Sequence, residues 1–168
     1  MAAGELRRKD REMSAVDTEE CLAKAQVGRV GTVGPEGMPY VVPMNFAYDA
    51  ANRTIFLHCA TSGHLLDNLA VSPLACFEVD EPGEVIATGP DACSTSQIYR
   101  SAICFGRARI VDHGQEKERA LNLLVHKYVD QLMPDRSYNP GLATLDATTV
   151  IVLSVERITG KQRSAPGA

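Results

Sequence analysis

The chain has 168 residues, 45% hydrophobic and 23% charged, enough for one globular domain burying about 70% of its unfolded surface. Seventeen Lys and Arg against 21 Asp and Glu give a formal net charge of -4, which argues against the broad cationic surface of a dedicated nucleic-acid binder. No apolar run reaches the roughly 18–20 residues of a membrane span. The five cysteines, at 21, 59, 76, 93 and 104, include no C-x-x-C pair, so reduced cytoplasmic thiols are expected rather than a disulfide framework or a zinc site. The basic stretch from Leu6 to Glu12 leads into no apolar segment, and no secretory signal is expected there.

Along the chain, the first 13 residues are charged and are expected to form an arm outside the core, ahead of a domain over 14–163 and a tail over 164–168. Asp17-Thr18-Glu19-Glu20 reads as a capping box, with Val16 and Cys21 at the staple positions and Leu22 and Ala25 as the apolar face. After Gly28 the period changes. Residues 29–33 are a short strand and Gly34-Pro35-Glu36-Gly37 is a turn. Residues 39–48 read as a strand interrupted by Pro43, which cannot donate to a ladder and requires a bulge or an edge. A turn at 49–52 leads to a strand over 53–60, where Ile55, Leu57 and Cys59 face one way and Phe56 and His58 the other. Thr61-Ser62-Gly63 then caps a helix over 64–71, closed by Ser72-Pro73, and 74–80 is the next strand. Residues 81–97, rich in Gly, Pro, Ser and Thr, read as a long loop. A long strand over 98–112 carries a bulge at Gly106. Residues 117–133 are the clearest helix, apolar at Leu121, Leu124, Val125, Tyr128 and Leu132 and stopped by Pro134. A last strand covers 148–158, before a polar tail. Six mostly antiparallel strands with helices between them predict a mostly β, α+β domain of barrel type.

No G-x-S-x-G, H-E-x-x-H or G-x-x-x-x-G-K-[ST] motif occurs, so hydrolase, zincin and P-loop chemistry have no support. His113 and His126 read as solvated surface. His58 ends an apolar strand and reads as a half-buried histidine bonded to backbone or as a ligand-facing group. The run Cys59-Ala60-Thr61-Ser62-Gly63-His64, a strand end leading into a helix, points several free amides at one place. It is an anion site strengthened by the helix dipole, or ordinary capping by Thr61 or Ser62. Tyr99-Arg100-Ser101 interrupts an apolar strand, and Arg100 suits a bidentate contact to phosphate or carboxylate or a surface ion pair.

Four stretches resemble the pyridoxamine 5′-phosphate oxidase-like flavin-binding split barrels, in particular the branch of the nitroimidazole-resistance proteins. These are Arg7-Arg8-Lys9-Asp10-Arg11-Glu12, the run from Pro39 to Tyr48, Phe56-Leu57-His58-Cys59-Ala60 with Ser62-Gly63-His64, and Ala92-Cys93 with the run from Tyr99 to Gly106. Cys76-Phe77-Glu78-Val79 and Ile158-Thr159-Gly160-Lys161 agree in place and order, so the resemblance runs from about residue 7 to 163.

The resemblance implies a six-stranded antiparallel split β-barrel with flanking helices, forming a homodimer with FMN in the clefts between subunits. The flavin ring is expected along Pro43, Met44, Asn45 and Phe46, and the ribityl chain along His58, Cys59 and Ala60. The phosphate is expected at Ser62, Gly63, His64 and Leu65, with Thr61 or Ser62 donating. Tyr99, Arg100 and Ser101 approach from the partner or complete the floor, and Lys161 and Arg163 reach the cofactor from the tail. The implied function is an FMN-dependent, nitroreductase-like oxidoreductase acting on a small molecule, with no catalytic side chain named and no metal, nucleic acid or membrane involved. The alternatives are a deazaflavin-dependent reductase and a non-catalytic flavin- or haem-binding stress protein, with His58 or His64 as haem ligand. The chain departs from the family at Leu65, where a lysine is usual, at Ala70, Val71 and Leu74, where basic residues are common, and in having no Trp. Arg100, Lys161 or Arg163 is expected to replace the missing lysine.

Overall fold

Every β-branched and aromatic run enters one antiparallel sheet. The computed structural model describes residues 5–87, 89–91, 94–129 and 145–164. Its strands are β1 (Gly28–Val33), β2 (Pro39–Met44), β3 (Phe46–Asp49), β4 (Thr54–Cys59), β5 (Leu74–Ala87), β6 (Thr95–Val111) and β7 (Thr149–Arg163). They lie in the order β2-β1-β5-β6-β7-β4-β3. The two edge strands of that order are consecutive in the chain, with only Asn45 between them. A flat sheet would hold those edges about 29 Å apart, six intervals of about 4.8 Å. A one-residue connection therefore forces the sheet to roll until its edges meet. The result is a split barrel, not closed by a ladder but joined through Asn45.

The strand count differs from the expected six because the stretch 39–48 changes partner at Asn45, pairing with β1 before it and β4 after it. Pro43 lies opposite Arg29 in unbroken register on the edge strand β2, so the edge position and not a bulge accommodates its missing donor. The bulge at Gly106 is present: Phe105 faces Arg157, Gly106 faces Val155, and Glu156 is the extra residue. A Cβ on Gly106 would collide with the carbonyl oxygen of Ser154, so the close approach of β7 requires glycine.

Two stretches expected to be irregular are strand. Residues 81–87 continue the β5 ladder against 95–100, and 159–163 continue β7 against 99–103. Their polar residues, with Pro82 and a glycine in each stretch, hide strand character that cross-strand pairing supplies.

The alternation in β4 divides the core in two. Ile55 and Leu57 join Val30, Phe46, Phe77, Val79, Ile151 and Leu153 inside the barrel. α1 (Ala15–Lys24), through Cys21 and Leu22, and α2 (His64–Val71), through Leu65, Leu66 and Leu69, complete that inner core. Phe56 packs on the outside with Val111, Val150 and Val152, beneath Ala120, Leu121 and Leu124 of α3 (Gln115–Tyr128). The expected end of that helix, with Leu132 and Pro134, lies outside the described residues, as do Ala92 and Cys93.

The cap of α1 is Ser14, whose Oγ accepts from the Asp17 amide at 3.1 Å, not Asp17 itself, and Val16 is exposed. Two overlapping box patterns occur here, and the earlier one wins. The charged N-terminal segment also enters the core, at Met13: its side chain is buried and its amide donates to Gly160 O at 3.1 Å.

Candidate functional site

Cavities on either side of the Asn45 joint follow from the pleat of β2 and β4, which sends successive side chains to opposite faces. Met44 and Cys59 face α2, while Asn45 and His58 face α3.

The α2 cleft, of about 150 Å³, is lined by Tyr40, Val42, Met44, Cys59, Leu66 and the turn Ser62-Gly63-His64-Leu65. α2 starts with no side-chain cap, so the expected capping by Thr61 or Ser62 is absent. Gly63 holds the N-cap position at φ 142, a conformation L side chains rarely adopt. The first intrahelical bond is from the Asp67 amide to Gly63 O at 3.1 Å. The amides of His64, Leu65 and Leu66 precede it and have no helical acceptor. The His64 ring stands edge-on to Tyr40, with centroids 4.6 Å apart. Leu65 is 8% exposed and belongs to the inner core, so only its backbone is available to a ligand. No Lys or Arg is among the residues lining this cleft. Burial pushes the Cys59 thiol above its ordinary range, so it stays protonated near neutral pH and is not poised as a nucleophile.

The α3 cavity, of about 330 Å³, is lined by Asn45, His58, Thr148 and the helix residues Leu121, Leu124, Val125, Tyr128 and Val129. Here the end of α3 secures the joint. Tyr128 Oη accepts from the Phe46 amide at 3.0 Å and donates to Gln26 O at 2.7 Å. Asn45 Nδ2 donates to the same carbonyl at 3.3 Å. Lys127 Nζ lies 3.6 Å from the centre of the Phe46 ring and donates to Ala25 O at 2.6 Å. Burial pulls this ammonium down to about 8. Sequence reasoning took Tyr128 for core packing and passed over Lys127. Their signal is a pair of polar-tipped side chains at the end of an amphipathic helix.

The remaining expected residues gather elsewhere. Arg100 turns toward α1, donating to Asp17 O at 2.9 Å with the Glu20 and Glu81 carboxylates each at 3.6 Å. Lys161 and Arg163 are in β7 rather than on a tail, and Lys161 Nζ lies 5.7 Å from the Tyr99 ring centre. Ser101 Oγ donates to Lys161 O at 3.3 Å. Within one chain the structure thus brings together Met44, Cys59, Ser62, His64 and Leu65. It sets Asn45 and His58 on the far side of the pleat, and Tyr99, Arg100, Ser101, Lys161 and Arg163 outside the cleft altogether. Pro43 is exposed on the outer side of β2, Phe46 is fully buried, and Ala60 and Thr61 lie exposed on the link to α2.

With this geometry in view, the family model described as pyridoxamine 5′-phosphate oxidase matches residues 14–162. The chain belongs to the pyridoxamine 5′-phosphate oxidase family. Its fold is similar to that of a candidate 5-nitroimidazole antibiotic resistance protein from Bacteroides thetaiotaomicron, at 26% identity and TM-score 0.75, over 89% of this chain and 84% of that one. It is also similar to the FAD and haem binding protein from Mycobacterium smegmatis, at 21% identity and TM-score 0.77, over 92% and 74% of the two chains. The flavocytochrome Anf3 from Azotobacter vinelandii gives 22% identity and TM-score 0.75, over 91% and 69%. No curated protein matches the sequence. No helix among the described residues is long and apolar enough to cross a membrane.

Proposed function

We propose that this protein binds FMN in the α2 cleft and acts as an oxidoreductase of nitroreductase type on a small molecule. The observation that carries the reading is the uncapped start of α2. Three amides without helical acceptors meet a cleft beside the edge strand β2, in a chain of this family. A phosphate fits these donors: the helix dipole favours an anion, Ser62 and Thr61 supply hydroxyls, and Gly63 leaves open space at its Cβ position. Tyr40, Val42 and Met44 offer the apolar wall a flavin needs, with the backbone of Pro43 to Phe46 along the ring and that of His58 to Ala60 along the ribityl chain. The similarity in fold to the FAD and haem binding protein from Mycobacterium smegmatis agrees with a flavin here.

Tyr99, Ser101, Lys161 and Arg163 lie away from the cleft of their own chain. A homodimer in which the partner's sheet face borders the cleft gives them a role at the cofactor. Arg100 is held by α1, which leaves Lys161 and Arg163 as the cations for the phosphate. The thiols of Cys21, Cys59, Cys76 and Cys104 are unbridged, which fits a cytoplasmic setting. A bound flavin supplies hydride or one-electron transfer. The residues of this chain bind it, orient it and shield one face from water.

Titration of purified protein with FMN, followed by flavin fluorescence, should saturate at one flavin per chain, with riboflavin binding more weakly. An absence of saturable binding at micromolar FMN would overturn the reading.

A further inference from the structure

We propose that the buried hydrogen bond between Asn68 and Thr32 positions α2 for phosphate recognition. It fixes the helix on β1 so that the His64, Leu65 and Leu66 amides converge on one point, and thereby sets the preference for a phosphorylated flavin over an unphosphorylated one. The proposal rests on the flavin reading above and assigns the discrimination to two residues outside the cleft.

α2 has eight residues, about two turns, and begins without a side-chain cap, so the place of its first turn is set by what holds its second. Leu65, Leu66 and Leu69 seat the helix on the inner core. Apolar burial is non-directional, and such a seat tolerates a slide or a small rotation. Among the described residues, the one hydrogen bond from α2 to the sheet runs from Asn68 Nδ2 to Thr32 Oγ1 at 3.1 Å, with both residues buried.

A second contact repeats that alignment one turn earlier. His64 and Asn68, four residues apart, share a face of the helix. Thr32 and Tyr40 are direct cross-strand partners on β1 and β2. Asn68 meets the first of that pair, and the His64 ring stands edge-on to the second. The helix is thus registered against the hairpin whose β2 strand walls the cleft.

Stability alone does not account for Asn68. Its side chain is fully buried, yet Oδ1 has no hydrogen-bond partner. That oxygen lies 2.9 Å from where a Cβ on Gly34 would stand, so it fits only because residue 34 is glycine. An unpaired buried carbonyl is destabilising, and an apolar side chain of the same branched shape would avoid it. Such a residue would not supply direction. A hydrogen bond weakens steeply with misalignment, so this one fixes both the rotation and the height of the helix. Asn68 lies about 6 Å along the axis from His64, four residues at about 1.5 Å each, so a slide or tilt there carries directly to the free amides.

The test compares the double variant Asn68→Leu with Thr32→Val, which replaces the pair by apolar groups of matching shape, with Thr32→Ser, which keeps the acceptor oxygen. Urea unfolding of the double variant should show a midpoint no lower than wild type. Its FMN affinity should fall at least about 10-fold, the scale of one charge-assisted bond, and its riboflavin affinity less than about 3-fold. Without flavin, its amide resonances from Gly63 to Leu66 should already be displaced. Thr32→Ser should stay within about 3-fold of wild type for both flavins. If the double variant fails to fold, Thr32→Val alone carries the same comparison. A variant lacking the bond that keeps the FMN preference, or loses both flavins equally, overturns the positioning role and leaves the flavin site standing. So does a Thr32→Ser protein that loses the preference as fully as the double variant. Wild-type protein that binds FMN and riboflavin equally, or binds neither, overturns both.

Discussion

Replacing Gly63 by alanine separates the backbone geometry of the α2 turn from everything else in the cleft. Nothing lies within 4 Å of the added Cβ, so the cost is conformational rather than steric. Holding a non-glycine residue at φ 142 costs about 1–3 kcal/mol. The turn either retains its shape and loses that stability, or relaxes and swings the His64 and Leu65 amides away from the cleft. Relaxation would remove at least one charge-assisted bond to a phosphate, worth about 1.5–3 kcal/mol, or about 10- to 100-fold in Kd. Riboflavin, which has no phosphate, should lose less than about 3-fold on the same scale. Urea unfolding gives the first quantity, and paired fluorescence titrations with FMN and riboflavin give the second. Stability should fall, and the preference for FMN over riboflavin should narrow. Equal losses for both flavins would refute the placement of the phosphate at this turn, whereas lost stability with the FMN preference intact marks a turn that kept its shape.

Tyr128→Phe leaves the part-buried Phe46 amide without its acceptor and should lower stability by about 1–3 kcal/mol in urea unfolding. Gly106→Ala puts a methyl against the Ser154 carbonyl and should cost about 3 kcal/mol or more, with loss of the cooperative transition as the extreme case. Burial lowers the Lys127 ammonium from 10.5 to about 8, so between those values the unfolded chain holds a proton the folded chain has released. Its contribution to stability therefore rises from about pH 8 to about pH 10.5, with the burial penalty fully present below pH 8. Because the group is only half-buried, the rise should be about 1–2 kcal/mol rather than the full linkage value. Lys127→Met should lack that part of the rise when unfolding free energies of the two proteins are compared across the range.

Features set by neighbouring residues were legible in the sequence. The period of β4 assigned Ile55, Leu57 and Cys59 to one face and Phe56 and His58 to the other, the slipped alternation marked Gly106, and Ser72-Pro73 closed α2. Features that depend on a distant partner were not. Asn45 ends one strand and begins another because β1 and β4 lie on opposite sides of it, and nothing in the run 39–48 records that change. The ladder over 81–87 and the extension of β7 to Arg163 come from long cross-strand pairing that their charged and polar residues tolerate without signalling. The site was half legible. Met44, Cys59, Ser62 and His64 do share a cleft, but the alternation already recognised in β4 also places His58 across the pleat from Cys59. The capture of Arg100 by α1 depends on where Asp17 and Glu20 pack, which local sequence does not encode.

The central claim is that a flavin phosphate sits on the start of α2. Amide chemical shifts of the isotope-labelled protein, followed during addition of FMN and separately of riboflavin, test it most directly. The largest FMN-specific shifts should fall on Ser62, Gly63, His64, Leu65 and Leu66, with Met44 and Cys59 responding to both flavins. Shifts centred instead on Asn45, His58, Leu124 and Val125 would place the ligand in the α3 cavity and contradict the account.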